Sequence, residues 1–98
     1  MLELSLDLCL TPSDQVVMRE LSGESVLLDL HSGSYFGLNE VGTRAWRVMM
    51  QGGSLQDVSD ALRDEFDAPP TVIEVELLRF AGELCAHGLC RVEGKDGR

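Results

Sequence analysis

The chain has 98 residues, 44% of them hydrophobic, and a net charge of −9 from 8 Lys and Arg against 17 Asp and Glu. That length supports one core and one domain, and the apolar fraction excludes a disordered chain. The acidic balance argues against nucleic acid and anionic membrane surfaces, which need clustered cations. No apolar run reaches the ~18–20 residues of a spanning helix, and no basic segment precedes a continuous apolar stretch as in a signal peptide. Cys9, Cys85 and Cys90 are an odd number and read as reduced thiols of a cytoplasmic protein. His31 and His87 are the only histidines, which leaves little acid–base or metal chemistry.

Leucine occupies every even position from Leu2 to Leu10. This is the strand period, with five leucines on one face. The segment reads either as an extra N-terminal edge strand that completes the core or as an exposed edge that pairs copies into a homodimer. Thr11 to Asp14 read as a turn. Gln15–Leu21, Ser25–Leu30 and Ser34–Leu38 form three short strands, joined through Gly23 and Gly33 into an antiparallel meander.

Asn39 reads as the N-cap of a helix over 40–51 with Val41, Ala45, Val48 and Met49 on its apolar face and Trp46 and Met50 beside it. Ser54 and Asp57 resemble a capping box for a helix over 55–66 that buries Leu55, Val58, Leu62 and Phe66. Thr71 and Glu74 form a second capping box, for a helix over 72–87 with Ile73, Leu77, Phe80, Ala81 and Leu84 in its core stripe. Gly88 ends that helix, Leu89–Val92 form a short last strand, and Glu93 to Arg98 are a frayed tail. The expected fold is therefore α+β, a three-stranded antiparallel sheet followed by three helices. The chain divides into an arm over 1–13, a domain over 14–92 and a tail over 93–98.

Val26-Leu-Leu-Asp-Leu30 is followed by Gly33-x-Tyr35-x-Gly-Leu38-Asn39, then by Gly42-x-x-Ala-Trp46 and Gly52. This string, with Phe80, Leu84 and Gly88-Leu89 further on, resembles the PqqD-like family, also called the RiPP recognition element. The resemblance covers roughly 14–92 and is closest to the stand-alone forms of lasso-peptide and radical-enzyme maturation clusters. It implies a winged helix-turn-helix-like, non-catalytic domain with no cofactor. In such domains a precursor leader peptide adds as an antiparallel strand to the third strand, beside the third helix. The leader is then presented to a maturation enzyme: a leader peptidase, a cyclase or a radical SAM enzyme.

The residues permit this. Strand addition needs a free hydrogen-bonding edge and neighbouring pockets. Ser34, Tyr35, Phe36, Gly37 and Leu38 contain no Lys or Pro to block an edge. Gly37 admits a second backbone. On the third helix Val75, Leu78, Gly82 and Cys85 make a second apolar line beside the core stripe. Gly82 costs about 1 kcal/mol in mid-helix relative to Ala, so it reads either as tight packing or as a groove floor. The resemblance makes Arg79 the partner of an acidic leader residue; otherwise it is a solvated surface charge.

Three rivals are weaker. A DNA-binding winged helix fails on charge, since residues 54–98 hold ten acids and five bases. Cys85, His87 and Cys90 span a helix end and lack the paired spacing of a zinc site. A scaffold subunit of a larger enzyme is compatible with leader binding. No nucleophile motif supports catalysis.

Overall fold

The computed structural model describes residues 5–95. In chain order the elements are β1 (Leu8–Pro12), β2 (Val16–Leu21), β3 (Glu24–Asp29), β4 (Tyr35–Leu38), α1 (Glu40–Met50), α2 (Leu55–Glu65), α3 (Pro70–Ala86) and β5 (Cys90–Lys95). Strands β2, β3 and β4 form one antiparallel sheet in that order, and β1 pairs with β5 in a second, two-stranded sheet. This is the α+β arrangement that the sequence predicts, with the N-terminal strand as an addition.

Local chemistry sets the two hairpins. Ser22 and Gly23 both have positive φ, 54° and 87°, between the paired residues Leu21 and Glu24. Two such residues form the tight loop whose twist matches flanking strands. The second hairpin closes on Asp29. Its carboxylate accepts from the His31 amide at 3.0 Å and the Ser32 hydroxyl at 3.1 Å, and its carbonyl accepts from the Gly33 amide at 2.8 Å. The His31 amide chiefly holds the Asp29 carboxyl below its ordinary value of 3.8, because accepting hydrogen bonds favours the charged form.

The sheet lies on α1. Leu27 is fully buried on its inner face, and Leu38 and Ala45 join the same core. Beside Leu27, the buried Ser25 and Thr43 hydroxyls share a hydrogen bond of 2.7 Å that ties β3 to α1. An Arg47–Glu20 ion pair joins α1 to β2, and Arg44 meets Glu65 at 2.6 Å at the end of α2. Asn39 caps α1 by accepting from the Gly42 amide at 2.8 Å. Ser54 and Asp57 complete a reciprocal capping box on α2.

Several expectations need correction. The alternating leucines do not form one strand: Leu6 lies in a turn, β1 begins at Leu8, and Leu2 and Leu4 lie outside the described residues. Thr11 and Pro12 belong to β1 and not to a turn. The β1 edge is occupied by β5 from Leu8↔Lys95 to Pro12↔Cys90, so residues 93–95, expected in a frayed tail, are strand. Leu10 is buried in the common core, so residues 8–12 and 90–95 form one two-stranded layer against it. The Thr71–Glu74 capping box does not form. Helix α3 starts earlier, at Pro70 after Pro69, with no side-chain cap. Proline at the first helical position has φ preset and lacks only an amide that would be unpaired anyway. On α1 Val41 and Met50 are exposed, while Thr43 and Trp46 are buried.

Two measurements follow from this packing. Thr43→Val strands the buried Ser25 hydroxyl and should cost about 1–3 kcal/mol in urea unfolding. Ser25→Ala added to it should recover part of that loss, which a purely steric effect would not allow. The second concerns Cys90. Burial, and then neighbouring Cys85, pushes its thiol from 9.0 up to about 12. The folded state thus prefers the neutral thiol. This contribution is complete below pH 9.0 and is lost as pH rises towards 12. Cys90→Val should remove that share of alkaline destabilisation, seen as a shrinking stability difference between variant and wild type over this range.

Candidate functional site

Strand β3 is paired on both sides, by β2 and β4, so β4 is an edge of its sheet. The register is Leu28↔Tyr35, Leu27↔Phe36, Val26↔Gly37 and Ser25↔Leu38. Just before β4, the Asp29 amide donates to the Ser34 carbonyl at 2.8 Å. Antiparallel pairs alternate between bonded and non-bonded residues. Phe36 and Leu38 therefore direct their backbone groups inward to β3. The amides and carbonyls of Tyr35 and Gly37 point away, along the open edge. Side chains alternate in the other plane: Leu38 is buried and Phe36 half-buried on the inner face, while Tyr35 stands 77% exposed on the outer one. A Cβ built on Gly37 would meet nothing within 4 Å.

Beside this edge runs a groove of about 510 Å³. One wall is β4 and the start of α1, from Phe36 to Asn39 with Val41, Gly42 and Ala45. The other is α3, through Val72, Ile73, Glu76, Leu77, Arg79, Phe80 and Glu83, with Leu62, Phe66 and Ala68 at the end of α2. The floor is apolar, and the charges sit on the α3 rim. There Arg79 lies between two carboxylates, 4.0 Å from Glu76 and 3.7 Å from Glu83. The Phe36 ring meets His87 edge-on at 5.3 Å between centroids, which joins β4 to the C-terminal end of α3.

Of the residues singled out in the sequence, Phe36, Gly37, Leu38 and Arg79 line the groove. Tyr35 is on the open edge, and Ser34 is immediately before it. Val75, Leu78, Gly82 and Cys85 are not among the lining residues. Helical spacing puts them on the opposite flank of the core stripe. Val75 is exposed there, while Leu78 and Cys85 pack partly against the core. Cys85 is near enough to Cys90, at the start of β5, to help raise its thiol. The α3 wall is instead Val72, Glu76, Phe80 and Glu83, which also repeat at three to four residues. Phe80, expected in the core stripe, is only half-buried.

Burial raises the Cys85 thiol as well, so neither Cys85 nor Cys90 has the lowered value of a reactive nucleophile. Among the described residues no group of three or more His, Cys, Asp or Glu is placed to hold a metal ion. None of the described helices is long and apolar enough to cross a membrane.

Two solved structures share this architecture. One, described as TbiB1 in complex with the TbiA(beta) leader peptide, is 35% identical, with a TM-score of 0.76 over 85% of this chain and 94% of that one. The other, a lasso peptide synthetase B1 complexed with the leader peptide, is 23% identical, with a TM-score of 0.77 over 84% and 96%, and it bears on fold alone. A search of curated proteins finds no match. The model of coenzyme PQQ synthesis protein D matches residues 24–89, from the first residue of β3 to the residue before β5. Most of the sheet, all three helices and both walls of the groove fall within that match, and the chain belongs to the PqqD family.

Proposed function

We propose that this protein is a non-catalytic leader-peptide-binding partner in the maturation of a ribosomally made precursor. The leader adds to the open edge of β4 and fills the groove against α3. The carrying observation is the edge itself: the backbone groups of Tyr35 and Gly37 face out beside an apolar groove. The 35%-identical relative was solved with a leader peptide, which supports the same ligand class here.

Each half of the site has a task. Outward groups of Tyr35 and Gly37 bond any extended backbone, whatever its sequence, while the groove selects the side chains that enter it. Peptide residues opposite Phe36 and Leu38 point into the groove, and those opposite Tyr35 and Gly37 point to the outer face. The bound peptide is then handed to a maturation enzyme, in the cytoplasm. Leader peptidase, cyclase and radical SAM enzyme are the classes that act on such precursors.

Anisotropy titration of the labelled leader encoded beside this chain's gene tests the reading, with saturable binding expected. Gly37→Pro removes an outward donor while leaving the β3 ladder whole. It should fold and weaken binding about tenfold, the scale of one lost hydrogen bond. Phe36→Pro breaks the ladder to β3 and is the poorer probe. Phe80→Ala empties one wall of the groove and should weaken binding with little effect on the sheet. Unchanged affinity in folded Gly37→Pro and Phe80→Ala would place the peptide elsewhere.

A further inference from the structure

Resting on the strand-addition reading, we infer that the groove selects a basic peptide, one that carries Lys or Arg at alternate positions facing α3. Three independent features lead there. The first is the direction of the peptide side chains. Residues opposite Phe36 and Leu38 project across the groove towards α3, and their spacing of two residues covers about 7 Å.

The second is what they meet. Beyond the apolar side chains of Phe36 and Phe80 on the two walls, the α3 rim carries Glu76, Arg79 and Glu83. Glu76 and Glu83 are two helical turns apart, about 10 Å along the axis. Long, flexible Lys or Arg side chains on alternate peptide residues span that separation. Their stems can lie on the apolar floor while their heads reach the rim.

The third is the sign of the rim. Arg79 is 71% exposed but already has both glutamates within 4.0 Å. One cation between two carboxylates leaves the rim at −1, in a chain of net charge −9. An acidic peptide residue reaching for Arg79 would displace its present partners and meet two like charges. A basic residue completes an alternating row instead. The facing wall, from Phe36 to Asn39 with Val41, Gly42 and Ala45, adds no charge of its own. The structure thus reverses the sign of partner that Arg79 alone suggests.

The probe is the fluorescein-labelled leader encoded beside this chain's gene, in three forms. One is unaltered, one has every Lys and Arg of its strand-forming stretch replaced by Gln, and one has them replaced by Glu. The unaltered form should bind most tightly. The Gln form should lose about threefold per groove-facing charge at low ionic strength, as expected for exposed pairs, and the Glu form more. The differences should narrow as salt rises.

Glu76→Gln with Glu83→Gln leaves Arg79 alone on the rim, at +1, and should abolish the preference for the unaltered form over the Glu form or invert it. Asp60→Asn with Asp64→Asn removes the same charge from α2, outside the groove, and should preserve that preference. Arg79→Gln should tighten the unaltered leader, whereas a contact between Arg79 and an acidic peptide residue would weaken it. Equal affinity for the three forms, or a leader without Lys or Arg in that stretch, overturns the charge selection and leaves strand addition standing. Failure of all three forms to bind overturns strand addition itself.

Discussion

The molecule depends on β3 being used up. Both of its edges are paired, its inner face is buried at Ser25 and Leu27, and the Ser25–Thr43 hydrogen bond fixes it to α1. A strand held on three sides cannot slip, because a one-residue shift would carry Leu27 to solvent and leave Thr43 without its partner. The position of β4 follows from this. Its register to β3 decides which amides face outward, and the seat of β3 on α1 decides how far that edge stands from α3. The groove is the space left between a strand placed by β3 and a helix placed by the core.

Helix α3 is divided three ways around its axis. Ile73, Leu77, Ala81 and Leu84 are buried in the common core. One flank packs in part against that core through Leu78 and Cys85, and the other turns to the groove. Such a helix has apolar residues on more than one face, and its pattern is correspondingly blunt. The contrast with α1 and α2 is physical: each of those has one buried stripe, one wet face and a side-chain cap that marks its start.

Much of this was legible in the sequence. The hairpin turns, the Asn39 cap, the Ser54–Asp57 box and the open edge at 35–38 depend on interactions between near neighbours in the chain. The apolar spacing that identified the α3 core stripe depends on the helix period alone. The flank of α3 that forms the groove wall was not legible. Val75, Leu78, Gly82 and Cys85 repeat as regularly as Val72, Glu76, Phe80 and Glu83, and the choice between the two flanks is made by where β4 and α1 pack, with all of α2 lying between them and α3 in the chain. A distant pairing likewise hid the fate of both ends. Leucine alternation announced a strand near the N-terminus and Leu89–Val92 a short last one, but Glu93, Gly94 and Lys95, which extend β5 along β1, have little strand character of their own. Pairing with β1 supplied what local propensity lacked.

That last pairing has a topological consequence. Leu8 lies directly opposite Lys95, so the first residue of β1 and the last of β5 are a single strand spacing apart, a gap of about 5 Å between backbones. This end of the β1–β5 ladder lies in a sheet separate from the one that carries the open edge. A unit of this kind can be spliced into a surface loop of a host protein through two short joints. Residues 8–95 can also be circularly permuted by linking Lys95 to Leu8 and cutting at the Ser22–Gly23 turn. In either case the peptide-facing edge keeps its neighbours.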